Sequence, residues 1–203
     1  MNRIAIRRER HERWNRCTPL VPDDVVDLVV EDIPIIVERS PTRIFVDAAY
    51  EAAGAAVVDA AVEADVIMAI QEGSAQAIDE RRTWLFFSDT AAGQPQNMPV
   101  LQQILATGST LFDYELIVND DEERLLHFVD LGDDADALQI SHRFSEALRP
   151  LVPILARADL DAPSPGDAAL PAILCRACIA WRGELTEPFR RLQASLDQYG
   201  SNA

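Results

Sequence analysis

The sequence predicts an α/β fold: a flavodoxin-like or Rossmann-like, mostly parallel sheet with helices on both faces, plus a helical C-terminal extension. Three observations carry this. Short apolar, β-branched runs recur through the first 130 residues, the length of strands buried on both faces. Amphipathic stretches with helix start and stop signals separate several of them, which is the alternation of a parallel sheet with crossover helices. From about Ala135 the strand-like runs give way to helical spacing. The expected division is therefore residues 1–133 as the α/β domain and 134–203 as a helical extension packed on it.

Element by element, Ile4–Ile6 reads as a short strand. Pro22, Asp23 and Asp24 before Val25, Val26 and Val29 read as a helix start, with acids at its positive end. Ile33–Val37 is a β-branched strand, and Asp47–Ala53 a short helix stopped by Gly54. Ala55–Val58, Val66–Ile70 and Trp84–Phe87 are further strands. Asn97 is placed to cap a helix with Pro99 in its first turn, Val100, Leu101, Ile104 and Leu105 on one face and Gly108 past its end. Leu111–Val118 and Leu125–Val129 flank the acidic turn Asn119 to Glu123 and read as a hairpin. Leu138, Phe144, Leu148, Leu151 and Leu155 keep helical spacing, interrupted by Pro150 and Pro153. Residues 158–166 read as a loop, Ala168–Trp181 as a helix, and Thr186-Glu187-Pro188 as the start of a final helix carrying Phe189, Leu192, Leu196 and Tyr199. In an open α/β sheet the ligand site lies at the carboxyl ends of the strands; here these are the segments after Ile6, Ile70 and Phe87.

The chain has 203 residues, one domain's worth or a domain with an extension, with 48% hydrophobic and 26% charged residues, a globular balance. Its net charge is −16, and all 18 basic residues are arginine. Without lysine there is no Schiff-base, phosphate-loop or general-base lysine. The acidity argues against nucleic acid as a partner. Residues 1–16 are the exception: six Arg against two Glu make them +4, leaving −20 for the rest. These arginines either pair with the acidic body or form a site for a small anion. No apolar stretch approaches the ~20 residues of a membrane span, and the N-terminus lacks a signal-peptide core, so the expected location is cytoplasmic, with no membrane partner.

Motif spacing excludes more than it finds. Cys175-Arg176-Ala177-Cys178 has the C-x-x-C pattern without a second pair for zinc, inside an apolar run, and reads as two core cysteines; Cys17 completes an odd set unsuited to a disulfide framework. His11, His127 and His142 lack metal-ligand spacing, and His127 reads as a structural or surface histidine. The acidic run Asp120 to Glu123 with Asp130, Asp133, Asp134 and Asp136 reads as a solvated loop lacking calcium-loop spacing. No metal site is expected. The chain carries no G-x-G-x-x-G, no Walker sequence and no G-x-S-x-G.

Several blocks together carry a resemblance: Ile6-Arg7-Arg8-Glu9 with Trp14, Pro19, Leu20 and Pro22; Tyr50 to Ala55; Ala64 to Ile67; Phe86-Phe87-Ser88 with Thr90, Gly93-Gln94-Pro95 and Asn97-Met98-Pro99; and Asp113-Tyr114-Glu115. In this order, over about residues 3–130, the chain resembles the N-terminal, substrate-binding domain of the saccharopine dehydrogenase and lysine–ketoglutarate reductase family. That family is related to alanine dehydrogenase and the transhydrogenase N-terminal domain. The resemblance implies a domain that holds an amino acid or oxo-acid in a cleft facing a separate dinucleotide-binding domain. It also implies an Arg before the Pro-Leu segment for substrate carboxylate, a Lys before a Glu at one strand end, and a His after the next strand's aromatic pair for acid–base work. At those places this sequence has Cys17 (beside Arg16), Gln71 before Glu72, and Asp89.

Gln71 cannot exchange a proton near neutral pH, and Asp89 is anionic unless desolvated. Three readings stay open. The first is a stand-alone substrate-binding domain that has lost the acid–base pair and the nucleotide domain, binding an amino-acid-like or oxo-acid ligand or a partner subunit. The second is nucleotide-independent acid–base chemistry, an elimination or cyclisation, with Asp89, Glu72 and Glu115 as carboxylates and Tyr114 as a hydrogen-bond donor. The third is the substrate half of a two-chain dehydrogenase. The expected ligand-facing set is Arg7, Arg8, Arg16, Gln71, Gln94 and Asp113, with the alternative that Arg7, Arg8 and Arg16 merely pair with Glu72 or Glu115. The chain alone is expected to bind no cofactor; NAD(P) would enter only with a partner chain that supplies the nucleotide domain. Association as a homodimer is the expected assembly.

Overall fold

The computed structural model describes residues 1–71, 74–119, 123–126 and 136–200. The chain divides into two compact units, Met1–Gln71 with Leu125–Ala158, and Glu72–Arg124 with Asp159–Ala203.

The first unit opens with β1 (Ile4–Ile6), α1 (Pro22–Val30), β2 (Ile35–Glu38), α2 (Asp47–Ala52), β3 (Ala56–Val58) and β4 (Val66–Met68). Its strands lie in the order β3-β2-β1-β4, all parallel, with Ile4 opposite both Ile35 and Val66. Every residue of β1, β2 and β4 is buried, which is why these strands read as unbroken apolar runs rather than alternating ones. Helix α1 starts with Pro22 in its first turn beside Asp23 and Asp24, and buries Pro22, Val25 and Leu28. Gly54, after α2, has φ +92°, and a Cβ there would stand 2.9 Å from Val29 Cγ1. Glycine is required there both by conformation and by helix packing.

The second unit begins with β5 (Thr83–Phe86), α3 (Met98–Ala106) and β6 (Thr110–Asp113), with β5 and β6 parallel and Thr83 opposite Thr110. Helix α3 buries Met98, Val100, Leu101 and Ile104, the expected face. Its expected cap differs. The Asn97 side chain makes no capping bond and donates instead to the Asp89 carbonyl at 2.8 Å. The first arm of the expected hairpin is shorter than expected. Strand β6 ends at Asp113, a 3-10 turn covers Tyr114–Leu116, and an isolated antiparallel bridge joins Val118 to Arg124. Asp113 accepts from the Glu115 backbone N–H at 2.9 Å, so the chain turns where a strand would run straight. The rest of the second expected arm, with His127, lies outside the described residues, as do Glu72, residues 120–122 and Asp130, Asp133 and Asp134.

The chain returns to the first unit with α4 (Ala137–Leu148), a 3-10 turn at Arg149–Leu151 and α5 (Val152–Arg157). Asp136 caps α4 by accepting from Leu138 N–H at 3.2 Å. Two buried serines of α4 hold the segment leading into α1. Ser141 Oγ accepts from Thr18 N–H at 3.1 Å, and Ser145 Oγ accepts from Val21 N–H at 2.9 Å while donating to Asp24 at 2.5 Å.

The second unit is completed by α6 (Ala172–Ala177), β7 (Cys178–Trp181), β8 (Glu184–Leu185) and α7 (Leu192–Gly200). This corrects two expectations: Ala168–Trp181 is not one helix, and the extension is not all helical. Strand β7 pairs antiparallel with β6 and with β8. All four β7 residues are buried, and pairing with β6 overrides the local helical preference. The turn Arg182-Gly183 has φ +50° and +84°, the two-residue hairpin signature. A Cβ on Gly183 would meet Gly108 Cα at 2.8 Å. The C-x-x-C pair straddles the helix–strand junction. Cys178 is fully buried and its thiol is pushed up by burial, whereas Cys175 is half-buried; both are free.

Candidate functional site

The strand ends of the first unit present a neutral amide among arginines. After β1 the backbone N–H of Arg7 donates to the Met68 carbonyl at 2.9 Å, and the Arg7 side chain is buried at 5% exposure. Arg8 donates from its backbone to Glu38 Oε2 at 3.1 Å and from Nη1 to the Arg39 carbonyl at 3.4 Å. Arg16 is exposed. Gln71, just past β4, uses its side-chain oxygen to accept from Trp14 Nε1 at 3.1 Å. Its backbone is held by Glu9, a buried carboxylate whose oxygens accept from Ile70 N–H at 2.5 Å and Gln71 N–H at 3.2 Å. Charge-assisted bonds of this kind fix a loop firmly.

Cys17 is buried, and burial followed by the nearby Glu9 carboxylate pushes its thiol up to about 11, so it is a neutral wall group at pH 7. Arg43 is buried beneath, donating to the Glu38 carbonyl at 2.8 Å and standing 5.2 Å from the Tyr50 ring centroid. Arg3 pairs with Glu63 at 2.9 Å.

The strand ends of the second unit are acidic. Asp113, the last residue of β6, has 0% exposure. One oxygen accepts from the Ser88 hydroxyl and the other from the Glu115 backbone N–H at 2.9 Å. Burial, with lesser repulsion from Glu115 and Asp89, pushes its carboxyl up to about 6 despite those bonds. Asp89 is exposed, with φ +53°. Its carboxyl is raised by partial burial first and by the Glu115 charge second. Glu115 accepts from Arg124 Nη1 at 2.7 Å, so its guanidinium partner is Arg124 rather than an N-terminal arginine. Tyr114 is fully buried, its ring 5.5 Å from that of Phe87 in an edge-to-face pair. Gln94 lies exposed at the surface, accepting from Gln96 Nε2 at 2.7 Å.

The structure thus brings Asp89, Asp113, Glu115 and Tyr114 together in one unit, while Arg7, Arg8, Arg16 and Gln71 belong to the other. The sequence assigned no site role to Glu9, Ser88, Thr90 or Arg124, and gave Asn97 only a helix cap. For Glu9 and Ser88 a signal existed, since both lie in the quoted blocks at strand ends. For Arg124 there was none, because its partner is set by the bridge to Val118. Among the described residues no group of three or more His, Cys, Asp or Glu is placed to hold a metal ion, and no helix is long and apolar enough to cross a membrane. The turn after β1 is Arg7-Arg8-Glu9, where a pyrophosphate cradle needs glycines.

The chain is similar to several known proteins. The family described as alanine dehydrogenase/PNT, N-terminal domain, matches residues 5–131. Alpha-aminoadipic semialdehyde synthase of Arabidopsis thaliana is 37% identical over 131 residues, 62% of this chain and 12% of that protein. The mitochondrial alpha-aminoadipic semialdehyde synthase of Bos taurus is 29% identical over 139 residues, 68% of this chain and 15% of that protein. The chain therefore spans about an eighth to a seventh of the length of the relatives it matches. Among solved structures, an L-alanine dehydrogenase aligns at 20% identity and TM-score 0.49 over 60% of this chain and 34% of its own. A transhydrogenase from Sinorhizobium meliloti aligns at 24% identity and TM-score 0.49 over 57% and 35%. With the family match covering more than half of its residues, this chain belongs to the alanine dehydrogenase/PNT N-terminal domain family.

Proposed function

We propose that this chain is a substrate-binding domain of the dehydrogenase type that takes an amino-acid-like or oxo-acid ligand, or a partner subunit, and no longer performs the acid–base work of imine reduction. The observation that carries the reading is the state of the two positions where the resemblance implies Lys and His. Gln71 is an amide whose oxygen is occupied by Trp14 Nε1 at 3.1 Å, and Asp89 is an acid raised by partial burial and by Glu115. Neither can serve as a cationic proton donor. Arg7, Arg8 and Arg16 remain as guanidinium groups for a ligand carboxylate, and Asp89 with Glu115 favours an ammonium group. The glycine-free turn after β1 supports a chain that binds no dinucleotide itself, NAD(P) entering only through a partner chain. The reading carries a cytoplasmic location and assembly as a homodimer or with a partner subunit.

Titration calorimetry with L-lysine, L-glutamate and 2-oxoglutarate tests it. A saturable heat with at least one of them, weakened by Asp89→Asn for the amino acids or by Arg8→Ala for 2-oxoglutarate, is the expected result. Silence across the three probes contradicts small-ligand binding.

A second reading, carboxylate acid–base chemistry without a nucleotide, is favoured by the coupling of Asp89 to Glu115, with Glu72 and Tyr114 as further members. Product formation from L-lysine or L-glutamate followed by NMR, abolished in Asp89→Asn, would establish it; unchanged turnover in that variant removes it.

A further inference from the structure

Asp89 sits between two hydroxyl residues in a left-handed conformation, φ +53°, a region sparsely populated by residues other than glycine. Something must hold it there. The Ser88 hydroxyl donates to the buried Asp113 carboxylate. Ser88 Oγ lies 2.8 Å from Thr90 Oγ1 and accepts from Thr90 N–H at 3.3 Å, so the residues before and after Asp89 are tied to each other and to Asp113. The Asn97 amide fixes the Asp89 carbonyl at 2.8 Å, and Gly93 N–H closes the turn on the Thr90 carbonyl at 2.9 Å. The other Asp113 oxygen accepts from Glu115 N–H at 2.9 Å. A single side chain with no exposure thus bonds the hydroxyl of the residue before Asp89 and the backbone N–H of Glu115.

We propose that Asp113 is a positioning residue: through Ser88 on one oxygen and the Glu115 backbone on the other, its buried carboxyl holds the Asp89 and Glu115 side chains as one coupled acid pair. The proposal rests on the reading above only in taking Asp89 as a ligand-facing group. Among the described residues, the charged groups placed by the pair's own contacts are Asp113, Arg124, which donates to Glu115, and Arg191, whose guanidinium donates to the Ala91 carbonyl of the same turn at 2.9 Å.

The test needs no ligand. Carboxyl carbon NMR titration of Asp89 is recorded in the wild type, Ser88→Ala, Asp113→Asn and Asp113→Ala, each with and without Glu115→Gln. In the wild type Asp89 titrates above the ordinary carboxylate range, and Glu115→Gln shifts it down. Ser88→Ala and Asp113→Ala release the turn, so Asp89 shifts down to the ordinary range and Glu115→Gln no longer moves it. Asp113→Asn, whose amide can accept from Glu115 N–H and donate to Ser88, retains the raised value and the response. Unchanged Asp89 titration and an unchanged response to Glu115→Gln in folded Ser88→Ala and Asp113→Ala overturn the proposal; if Asp113→Ala does not fold, Ser88→Ala alone decides. Calorimetric silence with amino acids would leave these titrations untouched, so the two ideas fail separately.

Discussion

Each unit uses a buried carboxylate to pin the chain where strands end, but in opposite electrostatic company. In the first unit Glu9 accepts two backbone N–H groups, from Ile70 and Gln71, and Glu38 accepts two more, from Arg8 and Ala61. Arginines surround them. In the second unit Asp113 accepts one hydroxyl and one N–H, and its neighbours are two further acids, Asp89 and Glu115. The difference teaches that the same device can settle a loop or load it. Backbone donors and guanidinium groups stabilise a buried negative charge, whereas at Asp113 burial first, and the nearby carboxylates after it, make that charge costly.

The largest expected effect tests that contrast through pH. The Asp113 carboxyl is raised from 3.8 to about 6 in the folded chain. Between those values the native state holds a proton that the unfolded state has released. Stability from this group is therefore fully present below pH 4, falls as pH rises towards 6, and stays low above. The shift corresponds to about 3 kcal/mol. Asp113→Asn lacks this dependence, so the wild type should lose about that much relative to the variant between pH 4 and 6 in urea unfolding. Parallel curves would break the contrast.

Glu9→Ala comes next. It leaves the N–H groups of Ile70 and Gln71 without their acceptor and should cost about 2 kcal/mol at pH 7 by denaturant unfolding, with Glu9→Gln recovering part of the loss. A smaller effect is expected of Trp14→Phe. It keeps an aromatic wall, removes the donor to Gln71 Oε1, and should cost about 1 kcal/mol. The smallest is Arg124→Ala. Its pair with Glu115 is half-exposed, at 47% and 36%, so removal should cost about 0.5 kcal/mol, and less at high salt.

The sequence made the parallel part of the fold legible because its strands are buried on both faces and read as apolar runs; β1, α1, α2 and α3 fall where propensity and stop signals place them. It failed at β7. Cys178-Ile179-Ala180-Trp181 follows a helical stretch without a break signal, and only pairing with β6 makes it a strand. It also failed at Asp113, whose apolar approach Leu111-Phe112 suggests a strand running on, because a side-chain bond to the Glu115 N–H turns the chain there. At the candidate site Cys17, Gln71 and Asp89 were readable as the residues that stand where the resemblance implies Arg, Lys and His. The groups that hold them, Glu9 and Trp14 for Gln71 and Ser88 and Asn97 around Asp89, stand in the same blocks, but their hydrogen bonds were not readable, since these join residues far apart or depend on one left-handed φ.

The proposed exchange of a proton-shuttling pair for an amide and an acid is tested most directly by mixing the purified chain with L-lysine, 2-oxoglutarate and NADPH or NADH and following nucleotide absorbance. The account predicts no oxidation above the protein-free rate. Sustained, protein-dependent oxidation that requires both substrates would contradict it.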